Sequence, residues 1–227
     1  TMPDTMSIER RAMLRAYGAE LQLTAGSEGM RGAIKLANEL ANEIPNGFQF
    51  NQFENPANPE IHSKTTAKEI WEQSNHIIDG LVTGVGTGGT VTGCATYLKK
   101  VNPECKIYAV EPKKSAVISG CNPGSHSIQG IGAGFIPKVL KQELIDEILT
   151  IDDDEAFYFG RLLAKKEGLL SGISSGAAIA ATIKIAKRKE LSGKRLIVIL
   201  PSFGERYLST AMFDNNTSII SREDGYL

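Results

Sequence analysis

The 227-residue chain is long enough to bury a sizeable core and to form one large domain, or one domain and part of another. Its hydrophobic content of 41% and charged content of 22% are typical of globular proteins, and a net charge of −1 gives no electrostatic reason to expect nucleic acid or an anionic membrane as a partner. No apolar run approaches the ~18 residues of a membrane span and no signal sequence is evident, so we expect a cytoplasmic protein that binds small molecules or proteins.

The first part of the sequence alternates between strand-like and helical patterns. A helix is predicted over residues 7–17 and a short strand over residues 20–24. A second helix, ending near residue 43, is predicted because apolar residues recur at helical spacing. A turn then leads into Phe48-Gln49-Phe50, which continues the alternation.

Residues 51–59 are too rich in Asn and Pro to form a regular element, and a helix containing Trp71 follows them. We place a domain crossing in this stretch. Residues 1–55 are therefore predicted to form part of a smaller α/β domain, and residues 56–227 a larger α/β domain with a carboxyl-terminal tail that has no readable pattern after Phe213.

The larger domain is predicted to contain further alternating elements. These are a strand at 81–85, a helix at 91–100, a strand at 106–110, a long loop at 111–137, a strand at 147–151, a helix from the capping residues Asp152 and Glu155 to Gly168, a helix ending near 189, and a strand at 195–200. The last strand is apolar after its first residue, as expected for a central parallel strand. The alternation predicts an α/β fold with parallel sheets flanked by helices and with sites at the carboxyl ends of strands.

A glycine-rich run, residues 80–90, follows an apolar strand and precedes a helix. Glycines let backbone N–H groups approach an anion, and the positive end of the next helix faces it, so this run predicts a phosphate cradle. The spacing Gly84-x-Gly86-x-x-Gly89, with Glu111 about 20 residues later, also fits a dinucleotide site. A third alternative is a tight turn with no ligand.

Two other stretches have the small residues of a ligand site. Residues 129–137 contain closely spaced glycines in the long loop, and residues 171–178 form a small-residue entry into a helix. Two such helix entries indicate one ligand held at both ends. By contrast, three cysteines and three histidines lack the spacing of a metal site or a catalytic triad, so we expect free thiols, surface or capping histidines, and no metal: Cys94, Cys105, Cys121, His62, His76 and His126.

Five motifs in order carry a family resemblance: residues 55–62, 84–90, 128–137, 172–178 and 204–210. Through them the chain resembles the latter two-thirds of a cysteine synthase, or O-acetylserine sulfhydrylase. This is a fold-type II, tryptophan synthase β-like enzyme that uses pyridoxal 5'-phosphate, and the resemblance implies that the first part of the fold is missing. The family reaction replaces the acetate of O-acetylserine by sulfide to give L-cysteine.

The resemblance assigns roles to residues and favours pyridoxal phosphate over the dinucleotide. It implies a phosphate site made of Gly86, Thr87, Gly88, Gly89 and Thr90, with Ser174 facing the pyridine nitrogen, Gln52 and Gly130 binding substrate, and Glu111 in a loop. A serine hydroxyl is too weak an acid to protonate that nitrogen, which suits a mild electron sink. The plainer interpretation of Ser174 is a helix N-cap.

The resemblance also implies partners and leaves alternatives. It implies a homodimer and an active site that docks the carboxyl-terminal tail of serine acetyltransferase. A cystathionine β-synthase-like enzyme would share the glycine loop but accept homocysteine, and a binding-only relative would keep the pocket without turnover.

The family's Schiff-base lysine and its substrate-carboxylate loop precede the matched segment, and neither motif occurs among these residues. Lys35, Lys64 and Lys68 lie in helix-like segments without the family's context for that lysine. We therefore expect no catalytic residue within this chain, and we expect that the 227 residues alone do not synthesise cysteine.

Overall fold

The computed structural model describes residues 1–213, so the predicted tail after Phe213 lies outside the described residues. The strands and helices follow one another as β1 (Met2–Pro3), α1 (Ile8–Ala16), β2 (Leu23–Thr24), α2 (Gly29–Glu43), α3 (Ala57–Lys64), α4 (Thr66–Gln73), β3 (Gly80–Gly84), α5 (Gly89–Val101), β4 (Lys106–Pro112), β5 (Glu147–Ile151), α6 (Asp153–Glu167), α7 (Ile173–Ala186) and β6 (Leu196–Val198). In this part of the chain, no helix combines the length and the apolar character needed to cross a membrane.

The strands form two parallel sheets, which confirms the predicted α/β fold. β1 pairs with β2 in a two-stranded sheet, and the larger sheet has the order β5-β4-β3-β6. The glycine-rich run therefore leaves the sheet from a central strand, β3, as predicted. The proposed domain boundary near residue 55 stays a prediction.

Helices cover both faces of the larger sheet because its central strands are apolar on both sides. Val82 and Val110 belong to the core that contains residues of α6 and α7. Leu81 and Ile107 belong to a second core with residues of α4 and α5. All four side chains are fully buried, so β3 and β4 hold the site at their carboxyl ends in a rigid frame.

Helix α6 begins and ends where the sequence predicts. Asp152 and Glu155 form a reciprocal capping box at its start, and Gly168 adopts a left-handed conformation at its end, with φ of 69°. Helix α7 lies against α6 at Gly176, where a β-carbon would overlap the carbonyl oxygen of Ala156. The absence of a side chain at Gly176 therefore sets the spacing of the two helices.

The prediction that residues 195–200 form a central strand is wrong for the part of the chain that the structure describes. β6 lies at the edge of the four-stranded sheet and is half-buried. Its side chains still reach both cores, because Leu196 and Val198 pack towards α6 and α7 while Ile197 and Ile199 pack towards α4 and α5. Covered faces thus explain the apolar sequence without a second neighbouring strand.

Two further predictions of local structure are wrong. Residues 48–50 form no strand, and Phe48 and Phe50 are 77% and 78% exposed, because no strand within residues 1–213 pairs with them. The predicted helix containing Trp71 is confirmed as α4, and the backbone turns at Thr65 between α3 and α4. Helix α3 also begins within the stretch predicted to be irregular.

Asp79 joins the start of β6 to the start of β3. Its carboxylate accepts hydrogen bonds from the Arg195 backbone N–H (2.7 Å) and Lys194 Nζ (2.9 Å). The bond from the Arg195 backbone and then the bond from Lys194 lower the pKa of Asp79 below its usual 3.8. The ionised form of Asp79 is therefore more favourable in the folded chain than in the unfolded one.

We expect Asp79→Asn to lower the urea midpoint of unfolding at pH 7. A carboxyl group whose folded pKa is depressed stabilises the fold above its unfolded pKa, and this contribution is lost as the pH falls through the folded value. The difference between variant and parent should therefore shrink as the pH is lowered below 3.8. The exposed Glu104→Gln is the control, and a difference that is equal at every pH would contradict the assignment.

Candidate active site

The predicted phosphate cradle lies where β3 ends and α5 begins. Gly88 precedes the helix in a left-handed conformation, with φ of 83°, and Gly89 is its first residue. The backbone N–H groups of the first helical turn have no carbonyl partners within the helix, so those other than the Gly89 N–H, which donates to Thr87 Oγ1, are available as donors to an anion. Residues 86–90 carry no charged side chain, and the helix end therefore provides the positive potential for an anion.

Close neighbours on three sides leave no room for side chains at the glycines of the cradle. A β-carbon at Gly86 would overlap the carbonyl oxygen of Gly130, and one at Gly89 would overlap the side chain of Asn58. A β-carbon at Gly88 would lie 2.9 Å from Cβ of Leu140. The loop is therefore packed between three other segments, which a simple tight turn would not need.

The second glycine-rich loop lies directly beside the cradle. Gly132 donates its backbone N–H to the carbonyl oxygen of Val85 at 3.0 Å. Gly130 has φ of 97°, and a β-carbon there would lie 3.7 Å from Ser174 Oγ. Gly130 thus lies between the cradle and Ser174, which brings three sequence-predicted parts of the site together.

Ser174 lies in the first turn of α7 and is only 3% exposed. Its hydroxyl has no hydrogen-bond partner within residues 1–213, and it does not cap the helix, because the N-cap is Gly172. The plainer interpretation of Ser174 as an N-cap is therefore wrong. The hydroxyl of this buried residue, which lies beside Gly130 and has no protein partner, is available to a polar atom of a ligand.

Asn58 is a site residue that the sequence interpretation missed. Its Nδ2 atom donates to the backbone carbonyl of Gln52 (2.8 Å) and lies 3.0 Å from Thr87 Oγ1. Thr87 Oγ1 in turn accepts the backbone N–H of Gly89 at 3.2 Å. Asn58 thereby connects the Gln52 segment to the cradle, whereas the exposed side chain of Gln52 keeps its substrate role only as a prediction.

His62 is a second residue whose position the sequence did not reveal. Its Nε2 atom lies 3.3 Å from Thr90 Oγ1 in the cradle, and its Nδ1 atom lies 2.9 Å from Thr66 Oγ1. Burial lowers the pKa of His62 below its usual 6.5, which favours the neutral ring. The i to i+4 spacing of His62 and Thr66 was visible in the sequence, but the contact with Thr90 was not.

Glu111 belongs to β4 and not to a loop, contrary to the expectation from the resemblance. It is 1% exposed, and its carboxylate accepts hydrogen bonds from the backbone N–H groups of Ile118 and Ser119, both at 2.9 Å, and from Ser119 Oγ at 2.5 Å. These partners come from the segment that follows β4. The carboxylate is thus engaged in holding that segment, which weakens the dinucleotide alternative.

The buried cysteines Cys94 and Cys105 provide no reactive group in this region. Burial raises the pKa of the Cys94 thiol to about 12 and that of Cys105 to about 11. Both thiols are therefore protonated near neutral pH and are poor nucleophiles.

The described residues fit the cofactor that the resemblance implies. A phosphate group requires several donors and little side-chain bulk, which Gly86–Thr90 provide at the start of α5. The unpartnered hydroxyl of Ser174 fits a polar ring atom at the other end of the site. Both groups lie at the amino-terminal ends of helices, with Gly130 between them.

Comparisons with known proteins identify the family of this chain. Residues 1–202 match the family described as pyridoxal-phosphate dependent enzyme. The cysteine synthase of Buchnera aphidicola subsp. Acyrthosiphon pisum (strain APS) is 52% identical over 222 residues, which are 94% of this chain and 70% of that protein.

Two solved structures extend the comparison to the fold. The cysteine synthase of Entamoeba histolytica is 49% identical with a TM-score of 0.87, over 93% of this chain and 63% of that chain. The O-acetylserine dependent cystathionine beta-synthase of Helicobacter pylori is 43% identical with a TM-score of 0.89, over 93% of this chain and 68% of that chain. The chain thus spans less than two thirds of the E. histolytica chain. The 227-residue chain belongs to the pyridoxal-phosphate dependent enzyme family, in the fold-type II group that includes the cysteine synthases.

Proposed function

We propose that the protein is a cysteine synthase, which replaces the acetate of O-acetylserine by sulfide to give L-cysteine. The observation that carries this proposal is the arrangement of two helix starts around Gly130, with a backbone cradle at one and the free hydroxyl of Ser174 at the other. The cysteine synthases of B. aphidicola and E. histolytica support the reaction class through their similarity to this chain.

Each part of the site has a role in this proposal. Gly86–Thr90 hold the phosphate of pyridoxal phosphate through backbone N–H groups and the hydroxyls of Thr87 and Thr90. When bound, the cofactor withdraws electrons from the substrate carbon that carries the amino group. Ser174 provides a neutral hydrogen-bond partner for the ring nitrogen and leaves it unprotonated, which keeps the electron withdrawal mild.

Gln52 and Gly130 are proposed to contact the substrate. Asn58 holds the Gln52 backbone next to Thr87, so the Gln52 backbone lies near the proposed cofactor site. Gly130 adds no side-chain bulk to this part of the site, and the edge-to-face rings of Phe53 and Phe135, with centroids 5.1 Å apart, connect its loop to the Gln52 segment. The two segments together would bind and orient the substrate over the cofactor.

The reaction also needs a lysine amine, and the lysines considered above do not provide one in this site. The side chains of Lys35 and Lys64 are 80% and 65% exposed, and Lys64 forms an ion pair with Glu60. We therefore propose that these 227 residues alone do not turn over O-acetylserine, and that the amine comes from outside them. We further propose a cytoplasmic homodimer whose active site accepts the serine acetyltransferase tail, as the resemblance in motifs implies.

A cystathionine β-synthase-like activity is the second candidate. The H. pylori enzyme, whose description names O-acetylserine dependence, supports it with a TM-score of 0.89. The two functions share the cofactor site and the first substrate. They differ in the nucleophile, which is sulfide in one case and homocysteine in the other.

Product assays separate these functions. The purified chain is loaded with pyridoxal phosphate and given O-acetylserine with either sulfide or homocysteine, alone and after addition of a polypeptide that carries the family's lysine segment. Cysteine formation only in the supplemented sample is expected. Preferential cystathionine formation would favour the second candidate, and robust turnover by the chain alone would contradict the proposed need for an external lysine.

We expect Ser174→Ala to weaken pyridoxal phosphate binding modestly, by about fivefold, because one neutral hydrogen bond is worth about 1 kcal/mol. Absorbance titration of the chain with the cofactor measures this change. In the supplemented assay, Ser174→Asp should yield transamination or racemisation products, because a carboxylate stabilises a protonated ring nitrogen. A faster reaction without such products would show that the assigned role of Ser174 is wrong.

A further inference from the structure

His62, on α3, contacts α4 through one ring nitrogen and the phosphate cradle through the other. Helix α3 packs closely on α5 at Gly93, where a β-carbon would lie 2.6 Å from Cβ of His62. This contact brings Nε2 of His62 within 3.3 Å of Thr90 Oγ1, while Nδ1 lies 2.9 Å from Thr66 Oγ1 on α4. The half-buried imidazole thus lies between two hydroxyl groups, one of which belongs to the cradle.

The number of protons on His62 and the two threonine hydroxyls limits which hydrogen bonds these groups can form with one another. A neutral imidazole has one N–H donor and one acceptor nitrogen, and burial favours this neutral form by lowering the pKa of His62. If Nε2 carries the proton, it donates to Thr90 Oγ1, and the hydroxyl proton of Thr90 remains free to point into the cradle. If Nδ1 carries the proton, Nε2 accepts from Thr90, and the threonine oxygen presents only lone pairs to an anion.

Only the first arrangement favours a bound phosphate, because an anion requires donors. We propose that His62 is a positioning residue: with Thr66 donating to Nδ1, its Nε2–H binds Thr90 Oγ1 and turns the Thr90 hydroxyl proton towards the phosphate. This inference rests on the proposed phosphate site. It adds a requirement that the cradle itself does not reveal, namely that phosphate affinity depends on a side chain outside the loop.

Four variants separate orientation of the hydroxyl from simple packing. His62→Leu fills the space of the imidazole with an apolar side chain and removes the Nε2–H donor. His62→Gln offers an amide N–H in a similar position. Thr66→Val removes the hydroxyl that donates to Nδ1 and leaves the imidazole in place. Thr96→Val is the matched control, because Thr96 lies on α5 and bonds only the carbonyl of Thr92 among the described residues.

The affinity of the cofactor-free full chain for inorganic phosphate is measured first, followed by its affinities for pyridoxal phosphate and for pyridoxal without the phosphate. His62→Leu should weaken both phosphate-containing ligands about five- to tenfold and leave pyridoxal unchanged. His62→Gln should recover affinity to within about twofold of the parent. Nitrogen NMR of the imidazole should show the Nε2–H form in the parent with phosphate bound, and Thr66→Val should decrease its population.

The outcomes distinguish this inference from the proposed function. Equal phosphate affinity in the parent and His62→Leu, or an equal loss for pyridoxal and pyridoxal phosphate, would overturn the inference, as would an Nδ1–H tautomer in the phosphate-bound parent. A chain that binds inorganic phosphate with the expected His62 dependence but does not bind pyridoxal phosphate would support the inference and overturn the proposed function.

Discussion

We expect Gly88→Asp to abolish binding of pyridoxal phosphate while the chain still folds. Gly88 has φ of 83°, and its β-carbon would lie 2.9 Å from the Leu140 side chain. The new carboxylate would also lie at the positive end of α5, where the phosphate binds. Two like charges about 4 Å apart repel by about 4 kcal/mol at an effective dielectric constant of about 20, or about a thousandfold in affinity.

Two control variants separate the causes of this loss. Gly120→Asp introduces the same residue at a left-handed glycine, with φ of 87°, that has no atom within 4 Å of its would-be β-carbon. It should bind the cofactor as the parent does. Gly88→Ala should give an intermediate loss from strain and crowding alone. Fluorescence titration with pyridoxal phosphate measures all three, and unchanged affinity in Gly88→Asp would exclude this loop as the phosphate site.

Gly176→Ala is expected to have the largest effect on stability. Its β-carbon would overlap the carbonyl oxygen of Ala156 and lie 2.8 Å from the backbone nitrogen of Gly160, so α6 and α7 would have to separate. Overpacking costs about 1–3 kcal/mol or more, while alanine gains only about 1 kcal/mol over glycine in a helix. We expect a net loss of about 2 kcal/mol, measured by urea unfolding.

Gly160→Ala provides the matched control for that variant on the facing helix. Its β-carbon would meet the terminal methyl group of Met212, which can move, and its nearest backbone atom is the Gly176 Cα at 3.6 Å. We expect its free energy of unfolding to stay within about 1 kcal/mol of the parent. Equal destabilisation of the two variants would mean that the backbone contact at Gly176 does not set the helix spacing.

Elements determined by local sequence were predictable. The capping pair Asp152 and Glu155 and the terminal Gly168 fixed the bounds of α6, because caps act within one helical turn. The place of β6 in the sheet was not predictable, because an apolar run indicates covered faces and does not reveal which edge is paired. Phe48 and Phe50 illustrate the same limit, since a strand exists only where a neighbour accepts its hydrogen bonds.

The candidate site divides in the same way. The cradle and Ser174 were visible as small-residue patterns at helix starts, which are local signals. Asn58 and His62 were missed because their partners in the cradle, Thr87 and Thr90, lie 29 and 28 residues further along the chain. The packing of α3 on α5 creates these contacts, and no spacing rule within one helix contains that information. The buried position of Glu111 likewise depends on a loop that folds back on it.

The order of the strands affects how the chain folds during its synthesis on the ribosome. β3 and β4 are made in succession and can pair early, followed by β5, whereas β6 is made last and pairs with β3. Until Leu196–Val198 emerge, the edge of β3 that β6 will occupy lacks that partner. An open apolar strand edge is a template for pairing with other chains. Slow translation between β5 and β6 therefore lengthens the period in which nascent chains are prone to aggregate, and chaperones that act in this interval would improve the yield of folded protein.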